Sequence, residues 1–370
     1  MRAAGILFTV TAAIAVIIFT GICLDFLITS KGEILPFYDE NGELIPGSIA
    51  EKTWVEINGA ENGMILRGKN VDNPVLLFLS GGPGVPQYWL NEYYPNELEE
   101  HYTVCWWDYY GEGLSWQPGI APGEITMQRL EEDGVSVAEY LKERFGKEKI
   151  YLMAHSAGTP LGFKLAKEHP ELFYAYYGMG QIAEGEADRY DYGYAFLKQT
   201  FTEKQDKRGL SRLEALVSIE KGGKVVPKNP DTIAGDWEGL LLRAGCGTTR
   251  EMRSDALGIF FPQMRAGCYT FREKLTYWRG KALCAASAYH EQESAAVRTD
   301  AGVHEFEIPV YFLMGYYDYT CPTPLAKDLY DTVSAPDKGF YIFEGSAHSP
   351  LWEENEEVLA VLQKTAVEEG

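Results

Sequence analysis

The stretch KIYLMAHSAGTPLGFKLAKEHPE, Lys149–Glu171, decides how this chain is read. An apolar run, KIYLMAHS, breaks at small residues around Ser156 and resumes with helical spacing in LGFKLAKEH, so a buried strand turns directly into a helix. Two readings compete for Ser156. Serine is a good helix N-cap and would stand at such a turn for that reason alone. It is also the residue that a strained strand-to-helix elbow holds up as a nucleophile, and Ala154 and Gly158, two residues to either side, are small enough for that turn. The rest of the chain has to decide.

Outward from this stretch, the same kind of apolar run recurs in PVLLFLSG, YTVCWWDYY, FYAYYGMG, IPVYFLMG and GFYIF. Continuous apolar runs mark strands buried on both faces, as in parallel sheets. Helical patterns such as MQRLEEDGVSVAEYLKERF lie between several of them, so strand and helix alternate and the class is α/β with a mostly parallel sheet. Upstream, the pairs Asn41-Gly42, Asn58-Gly59 and Asn62-Gly63 punctuate short alternating segments and predict antiparallel hairpins. The alternation fails between about Gly185 and Val303, where YAFLKQTFTEK and SRLEALVSIEK read as helices and no strong strand is expected. The predicted organisation is an N-terminal anchor over 1–30, a first part of the core over 31–184, an inserted helical lid over 185–303 and a second part of the core over 304–370.

Composition narrows the function. The 370 residues carry 33 Lys and Arg against 54 Asp and Glu, a formal net charge of -21. With no basic cluster to offset it, that charge repels phosphate backbones and argues against nucleic acid as a partner. Ala3 to Leu24 carries no charge and is long enough to cross a bilayer as a helix, which predicts an uncleaved membrane anchor. A cleaved signal peptide is the alternative, although no small-x-small site closes the segment and Ile22 before Cys23 suits no lipid attachment. Arg2 on one side, against Lys31 with Asp25 and Glu33 on the other, puts the body outside the cytoplasm. Six cysteines show no C-x-x-C pair, so no metal site is expected. They read as buried thiols, with a Cys246–Cys268 disulfide as the alternative. FYAYYGMGQIA imitates a dinucleotide fingerprint, but no acidic residue ends a second strand at the required distance, so no cofactor is expected.

A serine hydroxyl becomes a nucleophile when a base takes its proton and an acid holds that base in one tautomer. In an elbow architecture the partners follow in the order Ser, Asp, His, each in a loop after a strand. IPVYFLMGYYD puts Asp318 just past one buried run and GFYIFEGSAH puts His348 just past the next. His155 is adjacent to the serine and should point the other way, while His101, His169, His290 and His304 read as surface or capping residues. The Ser80-Gly81-Gly82-Pro83-Gly84 turn lets backbone approach a substrate, so the amides of Gly82 and Ala157 are the expected oxyanion hole.

Together SGGPG, WDYYGEGLS, AHSAGTPLG, GYYDYTCP and GSAHS resemble the proline iminopeptidase branch of the α/β-hydrolases, from about Thr53 onward except in the lid. Two motifs depart from the branch pattern: Ser80 stands where histidine is usual, and Asp108-Tyr109-Tyr110-Gly111 replaces Asp-Gln-Arg-Gly. The resemblance implies a serine aminopeptidase on short peptides that reads the substrate's free amine with lid carboxylates, here Glu184 and Glu186. Trp107, Tyr109, Tyr110, Tyr190 and Tyr192 are expected around the cleft, where they suit a prolyl ring or an acyl group equally. An esterase or amidase on a small apolar acyl compound is the rival reading, and a noncatalytic binding protein on a hydrolase fold is the reading from another class. Epoxide and haloalkane hydrolysis are disfavoured, because those members place aspartate where Ser156 stands.

Overall fold

A strand buried on both faces needs an apolar side chain at every position, and the runs picked out above form the middle of one sheet. A computed structural model describes residues 2–82, 84–183, 189–230, 232–289, 292, 296–298 and 302–367, with side chains from Thr11 onward. Its main sheet contains β1 (Ile49–Ile57), β2 (Ala60–Gly68), β3 (Val75–Leu79), β4 (Thr103–Trp107), β5 (Ile150–His155), β6 (Phe173–Met179), β7 (Val310–Gly315) and β8 (Lys338–Phe343). The strand order is β1-β2-β4-β3-β5-β6-β7-β8. β1 pairs antiparallel with β2 and β2 with β4, and every other neighbouring pair is parallel. The chain leaves β3 towards one edge and returns to start β5 on the other side, so the carboxyl ends of these two strands flank a topological switch point.

Alternate residues of the central strands feed two separate cores. Leu77, Leu79, Cys105, Trp107, Leu152 and Ala154 face one layer, packed under α2 (Met127–Phe145) and α3 (Thr159–Glu168). Leu76, Phe78, Val104, Trp106, Tyr151 and Met153 face the other. β8 departs from the continuous-burial expectation: as the edge strand it leaves Ile342 50% exposed.

Asn58 and Gly59 join β1 to β2 with φ of 48° and 80°, the paired positive angles a tight hairpin requires. Asn62-Gly63 makes no turn. It lies inside β2, where Asn62 Oδ1 accepts from Trp107 Nε1 at 3.0 Å and Gly63 leaves room for Leu114.

Between β6 and β7 lie α4 (Arg189–Glu203), α5 (Lys207–Leu216), α6 (Ile233–Ala244) and α7 (Phe271–Ala285). Tyr190, Leu197, Phe201, Leu213, Trp237 and Leu240 form a core of their own here. No strong strand is expected here, and the described residues add one short hairpin to the helices. Val217–Ile219 and Val225–Pro227 pair as a short antiparallel hairpin, so the helix read through SRLEALVSIEK ends at Leu216. Three-residue strands are too short to leave a periodic signature. Cys246 and Cys268 are both free and packed in different cores, the first in the helical segment and the second against the sheet, so the disulfide alternative is not observed.

At the amino terminus, α1 (Arg2–Thr29) is one apolar helix, and its Thr11–Thr29 stretch, with mean hydropathy 2.4, is long and apolar enough to cross a membrane. Its last turn grips the body. Phe26 meets Phe260 and Phe261 with ring centroids 6.2 and 6.0 Å away, Asp25 pairs with Arg265 at 3.0 Å, and Gly32 N donates to Gly267 O at 2.9 Å. Burying a phenylalanine stabilises by about 1.5–3 kcal/mol. Removal of residues 1–23 should therefore leave thermal stability of the body unchanged, whereas removal of 1–32 should destabilise it by about 2 kcal/mol in denaturant unfolding; equal stabilities would show that the last turn contributes nothing.

Candidate active site

The switch point holds the site. β5 ends at His155, and Ser156 follows with φ of 52°, a left-handed backbone that costs a non-glycine residue about 1–2 kcal/mol. Close packing enforces it. A Cβ on Gly158 would lie 2.6 Å from Ser80 O and one on Gly81 would lie 2.8 Å from Ser156 Cβ, so the turn and the loop after β3 interlock only through glycine. Ser156 makes no N-cap bond at the start of α3, whose first residues are Thr159 and Pro160. The capping explanation for this serine therefore lapses.

His348, in the loop after β8, lines a cavity of about 430 Å3 together with Ser156 and Gly82. Its Nδ1 is 2.8 Å from Asp318 Oδ2, in the loop after β7. The other oxygen of Asp318 accepts from the amides of Thr320 at 3.1 Å and Cys321 at 2.8 Å, which fixes the carboxylate. Burial pulls the His348 imidazole pKa down, but the charge and hydrogen bond of Asp318, joined by the charges of Glu238 and Glu353, outweigh it and hold the ring above its ordinary value. The His348 loop is held from below: Glu353 accepts from Ala347 N at 2.9 Å and Glu354 from Gly345 N at 2.9 Å.

Gly82, with φ of 131°, is in a conformation that suits glycine, and it faces the cavity. Ala157 borders a small void that Tyr109 and Tyr289 also line, and Tyr289 Oη donates to the Ala157 carbonyl at 2.5 Å. Beneath the loop after β4, buried Asp108 accepts from Leu114 N at 2.7 Å, and burial raises its pKa to about 8.

Two polar residues that sequence reasoning did not assign to the site tie its loops together. His155 Nε2 lies 2.8 Å from His348 O, a carbonyl that can only accept, so Nε2 carries the proton and Nδ1 accepts from Gln87 Nε2 at 2.7 Å. Gln87 Oε1 in turn accepts from Gly81 N at 3.0 Å, and Gln87 N donates to Ser80 Oγ at 3.2 Å. One neutral chain thus links the glycine loop to the backbone of His348. Burial and the neighbouring His348 keep the His155 pKa well below the usual value.

The aromatic expectations are corrected by packing. Trp107 is fully buried in the sheet core, and Tyr110 hydrogen-bonds Glu124 at 3.0 Å with Arg129 over its ring; neither lines the cavity. Tyr109 is buried with its hydroxyl on Ser80 O at 2.8 Å, Tyr190 packs on Trp237, and Tyr192 is exposed. The cavity's aromatic walls are Trp89, Phe260 and Trp278, and its charged walls are Glu238, Asp255 and Lys281. Burial, reinforced by the charge of Asp255, raises the Glu238 pKa to about 7. Glu184 and Glu186 lie outside the described residues, as does His290. The described residues contain no group of three or more His, Cys, Asp or Glu that could hold a metal ion.

The two histidines should titrate in opposite senses. In a histidine NMR titration, His348 should have a midpoint above 6.5, while His155 should stay neutral down to well below that value. Asp318→Asn removes the charge that does most to offset burial and should lower the His348 midpoint. A His348 midpoint unmoved by that substitution would contradict the account of the pair.

Residues 74–221 match the family described as alpha/beta hydrolase fold. The chain is 29% identical over 311 residues to the "Probable aminopeptidase YbaC" of Bacillus subtilis strain 168, covering 83% of this chain and 93% of that protein. Among solved structures, the proline iminopeptidase of Mycobacterium smegmatis superposes with a TM-score of 0.54 at 16% identity, over 85% of this chain and 97% of that one. Est816, described as an N-acyl homoserine lactone degrading enzyme, superposes with 0.52 at 15% identity, over 85% and 100%. At such identities the superpositions speak for the fold alone, and one fold serves both named activities. With the match spanning the elbow and the sheet order continuing it, the chain has the α/β-hydrolase fold and is similar within that fold to proline iminopeptidase-like proteins.

Proposed function

We propose that the chain is a serine aminopeptidase of proline iminopeptidase type, releasing the amino-terminal residue of short peptides through an acyl-enzyme. The segment 185–303 is its lid, flanked by the two parts of the core at 31–184 and 304–370, and α1 is a membrane anchor that keeps the body outside the cytoplasm. Ser156 Oγ attacks the peptide carbonyl as His348 Nε2 takes its proton, and the amides of Gly82 and Ala157 receive the negative charge on oxygen. His348 then protonates the leaving amine. Water, activated by the same histidine, hydrolyses the ester to free Ser156, while Asp318 stabilises the imidazolium at each stage.

The observation that carries the peptide reading is Glu238, a carboxylate on the cavity wall within electrostatic reach of His348. A substrate ammonium entering the cavity loses water, and a positioned carboxylate compensates. Glu238 takes the part expected of Glu184 and Glu186, which lie outside the described residues. The name of the B. subtilis relative agrees with this reading. The apolar walls Trp89, Phe260 and Trp278 favour the second reading, an esterase or amidase on a small acyl compound.

Ser156→Ala should fold and lose turnover to below about one part in a hundred. Glu238→Gln should lower kcat/KM for free-amine substrates by about 10-fold or more, as should acetylation of the amine in the unmutated enzyme. Glu238 must be ionised to meet an ammonium, so KM for free-amine substrates should rise as pH falls through about 7. Equal cleavage of blocked and free substrates would replace the aminopeptidase with the esterase or amidase.

A further inference from the structure

A lysine half withdrawn from water normally finds a partner, because an ammonium without one loses hydration and gains nothing in return. α7 carries both outcomes. Lys274 donates to Ser30 Oγ and to Met264 O, each at 2.8 Å. Lys281, about two turns further along, faces the catalytic cavity and has no hydrogen-bond or ion-pair partner among the described residues.

The position of Lys281 is rigid. A Cβ on Gly84 would lie 2.8 Å from Lys281 Cα, and one on Gly280 would lie 2.7 Å from Glu112 Cα, so glycines let α7 press on both the loop that carries Gly82 and the loop after β4. Glu238 belongs to a different wall. It comes from α6 and feels the charges of Asp255, His348, Arg189 and Asp318, whereas among the described residues only Asp255, which lines the same cavity, acts on Lys281. Burial lowers the Lys281 pKa and the more distant charge of Asp255 opposes the shift, so the ammonium is a partly desolvated charge with no contacting counter-charge among the described residues. The cavity thus presents a carboxylate from α6 and a lysine from α7, with Ser156 and His348 on the same cavity.

We propose that Lys281 recognises the terminal carboxylate of the leaving portion, so that the substrates are unblocked peptides of two or three residues, zwitterions whose ammonium meets Glu238 and whose carboxylate meets Lys281. The proposal rests on the aminopeptidase reading. Two or three extended residues span about 7–10 Å, a length that suits a cavity of about 430 Å3. A carboxylate hydrogen-bonded to a half-buried lysine is a charge-assisted contact, strong enough to separate a free acid from its amide.

The test compares an unblocked dipeptide with the same dipeptide amidated at its carboxyl end, using the full chain. The acid should be preferred by about 10-fold or more in kcat/KM, mainly through KM. Lys281→Met should bring that ratio close to one, and Lys281→Arg should restore a preference for the acid. Equal rates for acid and amide in the unmutated enzyme, or a ratio unchanged in Lys281→Met, would overturn the proposal. An amino-acyl naphthylamide has the amine without the carboxylate. Its cleavage without any preference for free acids refutes the role of Lys281 alone, and failure to cleave any free-amine substrate refutes the aminopeptidase reading with it.

Discussion

The left-handed backbone at Ser156 is the constraint on which the rest depends. A serine with φ of 52° is forced there by what surrounds it: β3 and β5 side by side, a glycine loop pressed against its Cβ, and α3 beginning within three residues. Each neighbour must be small for the turn to exist. Gly158 faces Ser80 O, and Gly162 stands where a Cβ would lie 2.8 Å from Ala154 Cβ, so the helix can approach the strand it leaves. The sheet supplies the rigidity. Its central strands are buried on both faces, so a strain of about 1–2 kcal/mol at one residue is spread over two well-packed cores.

Around that turn, three loops after three strands converge, and neutral hydrogen bonds rather than charges align two of them. Gln87 and His155 bridge the glycine loop to the His348 carbonyl. A second charged histidine beside His348 would oppose the imidazolium that the proposed acyl transfer requires. Burial keeps His155 neutral and removes that conflict, while Asp318 works on His348 in the other direction. Two imidazoles with ring centroids 4.7 Å apart thus have opposite protonation behaviour, set by which one has a carboxylate.

Much of the fold was legible because buried parallel strands leave unbroken apolar runs, and a residue just past such a run must stand at the same end of the sheet as its counterparts. That logic alone brought Ser156, Asp318 and His348 to one edge. It failed where meaning depends on which side of a helix faces a cavity. Glu238 and Lys281 sit in helices whose periodicity tells buried from exposed but not which cavity a half-buried charge will line. Trp107 and Tyr110 were misread for a related reason: aromatic residues beside a motif also fill the core under it. Asn62-Gly63 looked like a turn because the pair is common in turns, whereas here the glycine makes room for Leu114 and the asparagine satisfies a buried indole. The Gln87 and His155 bridge spans 68 residues of sequence, and no local pattern announces it.

The central claim is that Ser156 is an activated nucleophile. Treating the full chain with a fluorophosphonate and mapping the adduct by peptide mass spectrometry tests it most directly. The account predicts one stoichiometric adduct on Ser156, formed at a rate that collapses in His348→Ala. An adduct on another residue, or a folded chain whose Ser156 remains unmodified, would contradict it.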